Sequence, residues 1–470
     1  MRVLLTYSVL LFSTSQVFAT HARGGEISYE PVSGLANRYH ITVKLYEFIG
    51  PVVASTNNIT LVCGRGGCSG ALPGSFKVPL TASRRFVLSP FNCGGASDIR
   101  VVIFETEVQL PPARWILNVS DVNRTGGIVN IPGSINQGEY IEALLDNSTG
   151  LANASPKFIN AEFPTPQGNQ LQRYSFSSFE PDGDSLAYQL VTPMDGGSDF
   201  AASIIPCAQP VVGYTPTPFA LDPATGEATA GPAAPVAGFF ALAARVQEYR
   251  RINSVWTLIG SVTRDITYAA SAGGNSNPTF TALRVGNTAQ PFDKAIRVNP
   301  GQTVAVTLDA TDADAGQTLG FSSGATTTVP GVTLQTLSPT QLRLTWQVPA
   351  GLPVGRYRIP VTVTDNGCPF NGTEVRTLTF LVTSQILAST SSRLPVAVAA
   401  YPTPFREQVR LQLAQPTLQP ITVFDGLGRA VAQLTSSPDG SVLWQPAATL
   451  PSGLYVARTA NGQQIRLLRE

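Results

Sequence analysis

The sequence predicts an all-β chain made of tandem β-sandwich domains, with a small β module at its C-terminal end. Three observations carry that prediction. The 470 residues include 42 glycines and 37 prolines, which spreads turn-forming residues along the whole chain and disfavours long helices. Hydrophobic residues make up 43% and charged residues only 13%, so there is apolar material for real cores and about half the usual charged share of a soluble protein. Apolar and polar residues also alternate over short runs. Tyr39, Ile41, Val43 and Leu45 fall on one face of an extended segment, the period of a half-buried strand. The length suits three or four domains, and a net charge of +1 supplies no broad field to recruit nucleic acid or acidic lipid.

Residues 1–19 carry Arg2, an apolar run from Val3 to Phe12 and the sequence Val17-Phe18-Ala19. This reads as a signal peptide cut between Ala19 and Thr20; the alternative is a buried N-terminal strand. No later run reaches the ~18 apolar residues of a membrane span, so the mature protein is expected to have no transmembrane span. Residues 20–150 form an N-terminal β domain and residues 151–272 a second sandwich, with strands at Gly238–Arg250 and Ile259–Ile266. Residues 275–384 read as an Ig-like sandwich around Trp346, with turn signals at the spacing such domains need. A small-residue linker at 385–398 precedes the terminal module, 399–470, where Val409, Leu411 and Leu413 alternate and Asn461-Gly462 marks a closing hairpin.

Of the five cysteines, Cys63, Cys68 and Cys93 lie in the first domain, and two of these three are expected to pair if the protein is exported. Cys207 and Cys368 fall in different domains, so joining them would need a tight interface. The odd count leaves one unpaired within the chain.

Two acidic turns are the most chemical stretches. Glu180, Asp182 and Asp184 alternate around Gly183, and the third domain repeats the arrangement with Asp312 and Asp314 beside Gly316, near a strand end that carries Asp365. Carboxylates this close repel one another unless a cation or solvent offsets them, and Ca2+ takes six to eight oxygens. These six residues are therefore candidate calcium ligands, and Ca2+ is the one cofactor the sequence suggests. The alternative is a solvated Asp/Gly turn accepting backbone N–H bonds. Arg250, Arg264 and Asp265 read as ion-pair or strand-end groups rather than catalytic ones.

Catalysis finds little support. The chain has two histidines, His21 and His40, and the G-x-S-x-G match at Gly320–Gly324 lies in a turn without a strand-to-helix elbow. A secreted glycoside hydrolase built on paired carboxylates stays as the least favoured reading. A non-enzymatic structural or adhesive protein comes first, and a carbohydrate-binding protein using Tyr214, Trp256 or Trp115 as a stacking platform is the alternative.

Four stretches resemble known families. His21-Ala22-Arg23-Gly24-Gly25-Glu26-Ile27-Ser28-Tyr29 resembles the opening of β-rich repeats in large surface proteins that often end in sorting or gliding-associated domains. Val246-Gln247-Glu248-Tyr249-Arg250, followed by Gly260-Ser261-Val262-Thr263-Arg264-Asp265, resembles the closing strands of the same repeats. The acidic turns resemble those of cadherin-like and related Ig-like bacterial repeats. The last 70 or so residues hold Tyr401-Pro402-Thr403-Pro404-Phe405, then Val423-Phe424-Asp425-Gly426-Leu427-Gly428-Arg429, then Pro451-Ser452-Gly453-Leu454-Tyr455-Val456, and end in a basic tail. In this order they resemble the C-terminal sorting domain of type IX (Por) secretion cargo, with Thr403 where that family usually has Asn. The resemblance implies a sorting motif of Pro402, Pro404, Phe405, Asp425, Gly428, Arg429, Gly453 and Tyr455, and passage through the periplasm and outer membrane by the type IX secretion machinery. It further implies removal of the module and attachment of the body to surface lipopolysaccharide. The protein would then work outside the cell or on the outer-membrane surface, with surface glycans or other surface proteins as partners.

Overall fold

The computed structural model describes residues 22–49, 55–69, 71–88, 99–121, 124–160, 163–196, 207–233, 236–368, 370–384, 400–413, 417–426, 428–459 and 464–470. Ala19, Thr20, His21, Cys93, the 385–398 linker and Asn461-Gly462 lie outside them. The protein is all-β: among the described residues, helix is limited to the short turns Ser134–Asn136 and Ala325–Thr328. The chain divides into two compact units, Met1–Gln385 and Ile386–Glu470.

The first unit is built on one large antiparallel sheet. Its strands from the N-terminal third are β1 (Ala22–Pro31), β2 (Arg38–Phe48), β3 (Asn58–Arg65), β4 (Phe76–Thr81), β5 (Arg84–Leu88), β6 (Ile99–Gln109), β7 (Arg114–Asp121) and β8 (Glu139–Asp146). They run in the order β4, β3, β7, β8, then the strand Val255–Ala270, then β1, β2, β6, β5. The late strand is thus inserted between two early ones, with Gly260 opposite Leu145 on one side and Ile266 opposite Gly24 on the other. Its hairpin partner, Gly238–Ile252, pairs in turn with Ser185–Val191.

The boundary expected at 150–151 therefore does not separate two sheets. Strand periodicity tells which residues are extended and which face is apolar, but not which distant strand lies alongside. The backbones meet closely at Gly24 (φ 128°), where a Cβ would stand 1.9 Å from the Asp265 carbonyl oxygen, so only glycine fits. The face read from the sequence is the buried one: Tyr39, Ile41, Val43 and Leu45 are each at most 2% exposed and share a core with Trp115, Tyr174 and Val262.

The cysteines follow this topology. Cys68 is bonded to Cys207, 139 positions away, rather than to a neighbour in the first domain. Cys63 is a buried free thiol. Cys368 is also disulfide-bonded, to a partner outside the described residues. Pairing inside the first domain was expected because sequence proximity was the only guide; the folded sheet brings residue 207 to residue 68 instead.

The third region is a two-sheet sandwich. One sheet runs Thr288–Ala289, Thr279–Val285, Thr303–Thr311, Gln341–Gln347, Val332–Ser338, and the other Ile296–Val298, Thr373–Val382, Gly355–Thr364, Gly320–Ser322. Trp346 is fully buried at its centre, 5.1 Å from the Phe380 ring and 5.8 Å from that of Tyr357. Ile159 and Phe179, from the preceding region, enter the same core. Polar contacts add to this join: Arg173 Nε reaches Glu374 at 3.3 Å, and Thr377 N–H donates to Glu227 at 3.1 Å.

The terminal unit is a small sandwich. Val409–Gln412 pairs with Ser441–Trp444, and a four-stranded sheet runs Ala430–Thr435, Pro420–Phe424, Gly453–Thr459, Gln464–Arg469. Val409, Leu411 and Leu413 are buried as their alternation predicts, around Phe405, Trp444 and Tyr455.

Candidate functional site

The first acidic turn links Ser178–Phe179 to Ser185–Val191. Gly183 has φ 85°, and a Cβ there would stand 2.5 Å from Pro353 Cβ, so glycine lets the turn press onto the third sandwich. Glu180, Asp182 and Asp184 each offer an oxygen within 4.8 Å of the others. Arg250, on the neighbouring Gly238–Ile252 strand, pairs with the two aspartates of this group. Its Nε and Nη2 donate to the Asp184 carboxylate at 2.8 and 2.5 Å, and Nη2 also reaches Asp182 at 3.3 Å. Further bonds run to Ala152 O at 2.8 Å and Asn153 Oδ1 at 2.7 Å. The cation that offsets the acidic turn is thus a guanidinium.

Glu180 turns inward, away from that guanidinium, and meets Glu248. Glu180 is 4% exposed and Glu248 fully buried. Glu180 Oε2 and Glu248 Oε1 are each buried without a hydrogen-bond partner, while Asn153 Nδ2 donates to Glu248 at 2.6 Å and the Asp182 N–H donates to Glu180 at 2.5 Å. Burial pushes the Glu180 carboxyl up to about 8, with Asp182 and Asp184 adding to the rise against its hydrogen bonds. Burial, then Glu180 itself, pushes Glu248 up as well. Two such groups in contact hold a proton between them, because both cannot ionise in a dry site. Gly260 makes room for the pair: a Cβ there would stand 2.4 Å from Glu248 Oε2 and 2.6 Å from the Tyr29 hydroxyl. With Arg250 on the aspartates and a proton on the glutamates, this turn lacks the six to eight free oxygens a Ca2+ ion needs.

The second acidic turn is neutralised differently. The Asp365 carboxylate accepts the N–H of Gly367 at 2.8 Å, the N–H of Gly372 at 2.9 Å and Asn275 Nδ2 at 2.9 and 3.0 Å. Burial pushes Asp365 up against those bonds, and the nearby Asp312 adds to the rise. Asp314 accepts the Ser276 N–H at 2.7 Å, and the Asp314 N–H donates to Asp312 Oδ1 at 2.8 Å. Asp312 Oδ2 is buried without a hydrogen-bond partner. Among the described residues no lysine or arginine pairs with any of the three. The structure thus brings Asp312, Asp314 and Asp365 around the connecting residues Asn275 and Ser276. Among the described residues, the carboxylate trio whose oxygens all lie within 4.8 Å of one another is Glu180, Asp182 and Asp184, not this one.

The remaining candidates resolve into structural roles. Arg264 is buried within 3.3 Å of Glu26 and under the rings of Tyr46 and Phe158, and Asp265 pairs with the buried Arg124 at 2.6 Å. In the terminal unit, Tyr401-Pro402 and Thr403-Pro404 are both cis peptides leading into Phe405. Phe405 is buried against Trp444, its N–H donating to Leu468 O and its carbonyl accepting from Glu470. Asp425 accepts from the Arg429 N–H at 2.9 Å and Nε at 2.7 Å across a turn that places Gly428 at φ 80°. Gly453 has φ 152°, and the Tyr455 hydroxyl donates to Pro451 O at 2.5 Å.

Of the three stacking candidates, Trp115 is a core residue at 1% exposure, Tyr214 packs beside Ile128 and Val211, and Trp256 is 60% exposed. The pattern serine of the G-x-S-x-G stretch is Ser322, half-buried at the end of the Gly320–Ser322 strand and followed by the four-residue helical turn Ala325–Thr328, not set in a plain turn as expected; the neighbouring Ser323 is buried, its hydroxyl donating to Pro360 O. Sequence reasoning missed Glu248, Asn153 and Gly260. The signal for Glu248 was an acidic residue in an otherwise apolar alternating strand.

No family model and no curated protein matches the chain. Among solved structures, the human Desmocollin-1 ectodomain aligns over 94% of this chain and 79% of its own, at 11% identity and TM-score 0.17. Drosophila N-cadherin EC1-4 aligns over 88% of this chain and 93% of its own, at 10% identity and TM-score 0.17. A chimeric titin Z1Z2 aligns over 42% of this chain and 98% of its own, at 20% identity and TM-score 0.15. At these TM-scores, the fold assignment rests on the sheets themselves. Among the described residues no helix is long and apolar enough to cross a membrane.

Proposed function

We propose that this chain is a non-enzymatic structural or adhesive protein of the cell exterior, in which rigid joined sandwiches act as a scaffold and recognition happens on their loops. The observation that carries this reading is the fate of the ionisable groups. Among the described residues, Arg250, Arg264, Asp265 and Glu248 serve to hold strands and turns together, a structural use of the groups that an active site would need for acid, base or nucleophile. A glycoside hydrolase needs two carboxyls flanking an open bond; the closest pair here is buried and shares a proton.

Export by type IX secretion follows from the resemblance of the terminal segment. What supports it is that the motif residues Phe405, Asp425, Gly428, Gly453 and Tyr455 are the core and turn positions of a separately folded unit. Ca2+ at Asp312, Asp314 and Asp365 would tie that turn to Asn275 and Ser276. The decisive experiment is the location and C-terminus of the native protein, by surface labelling and mass spectrometry of the intact chain. A surface form lacking the unit Ile386–Glu470 supports the reading; a full-length cytoplasmic form overturns it.

A further inference from the structure

A large aromatic side chain is held out into solvent on backbone that cannot swing it inward. The strands Gly238–Ile252 and Val255–Ala270 are joined by just two residues, Asn253 (φ 48°) and Ser254 (φ 69°), a tight hairpin turn whose twist matches that of its strands. Trp256 sits in the ladder opposite Arg251, and its indole is 60% exposed. It borders a hollow of about 220 Å3 where the first acidic turn meets the start of the Gly355–Thr364 strand, lined also by Tyr357, Ser185, Asp184 and Arg356. Tyr357 is fixed there by the bond from its hydroxyl to Pro353 O at 2.8 Å. The Asp184 carboxylate is held in place by Arg250. Arg356 is exposed, and among the described residues it has no ion-pair partner.

We propose that this hollow is a pyranose-binding subsite, in which a sugar ring lies with its C–H face on the Trp256 indole and its hydroxyls bond to Ser185 and Arg356. The inference rests on the extracellular reading above and names the ligand class it would serve. A pyranose is amphipathic within one ring: it needs an apolar plate on one face and both donors and acceptors around its edge. The hollow supplies the plate from the indole, donors from Arg356, and a donor and acceptor from the Ser185 hydroxyl. A protein partner would call for a much wider apolar patch, and a simple anion would have no use for the indole. Because the tyrosine floor is already held in place by its bond to Pro353 O, binding loses side-chain freedom mainly at Trp256 and Arg356.

The test uses the full-length protein on an array of neutral and uronic-acid oligosaccharides, followed by iodide quenching of tryptophan fluorescence with the retained probe. Of the four tryptophans, Trp115, Trp346 and Trp444 are at most 2% exposed, so iodide reports on Trp256. The expected result is saturable binding that shields Trp256 from iodide and is at least tenfold weaker in Trp256→Ala and Arg356→Ala, with melting temperatures unchanged. Retention of no array probe, or equal retention by Trp256→Ala, overturns the subsite. A silent array from a protein found on the cell surface removes only the subsite, whereas a cytoplasmic full-length chain removes the reading beneath it.

Discussion

The two acidic turns look alike as sequence and are solved by opposite means. At Glu180–Asp184 the negative charge is met by a side-chain cation, Arg250, and by a proton shared between Glu180 and Glu248. At Asp312, Asp314 and Asp365 it is met by backbone N–H groups and the Asn275 amide; both turns leave buried carboxylate oxygens without a hydrogen-bond partner. The difference teaches that an alternating acidic turn does not define its own counter-ion. What lies across from it does: an arginine-bearing strand in the first case, an asparagine-bearing connection in the second.

The largest expected effect comes from removing the arginine. Arg250→Ala leaves Asp184, with its side chain 5% exposed, without its counter-ion, and should lower stability by about 3–5 kcal/mol in urea titration. A loss under 1 kcal/mol would show that the turn does not depend on its guanidinium. The shared proton gives the next effect. Glu180 titrates at about 8 in the folded protein against an ordinary glutamate value near 4.3 in the unfolded chain. The folded state therefore keeps a proton that the unfolded state releases. Stability is fully present below the unfolded value and is lost as pH rises towards about 8. The groups facing the pair are Asp182 and Asp184 on its own turn, Arg250 beside Glu248, Asn153 on the preceding connection and Tyr29 on β1. Glu180→Gln should flatten this slope in thermal melts run from pH 5 to 8, and an unchanged slope would assign it elsewhere.

Calcium separates the turns most cleanly. Millimolar Ca2+ should raise the melting temperature relative to chelator, by a stabilisation of about 2.7 kcal/mol when the ion is at a hundred times its Kd. Asp312→Asn should abolish the rise and Asp182→Asn should leave it intact. A melting curve that ignores Ca2+ removes the ion from both turns. The smallest effect is expected from Asn275→Ala, which takes one donor from Asp365 and should cost about 1–2 kcal/mol, read by the same titration.

Local period made much of the fold legible: the buried faces of β2 and of Val409–Leu413, the central Trp346, and the all-β class itself. What stayed hidden depends on contacts far apart in the chain. Nothing near Val255–Ala270 says that it slides between β8 and β1, and nothing near Cys68 points to Cys207. The acidic trios were legible as clusters because their spacing is local. Arg250 was legible as an ion-pair residue, but its partners were not, and Glu248 read as a strand residue because its burial comes from Tyr29, Asn153 and Gly260 on other segments. Trp256 could be named as an aromatic from sequence, whereas its exposure follows from a two-residue turn at the tip of a long hairpin.

The bond between Cys68 and Cys207 has a mechanical meaning for the chain. The 139 positions it spans would, fully drawn out at about 3.5 Å each, add roughly 490 Å of length under load. While the bond is intact, a pull on the two ends of the chain cannot reach that stored length, and force passes across the cystine instead of unravelling the strands it encloses, β4 among them. Reduction would turn a short, stiff tether into a long, compliant one.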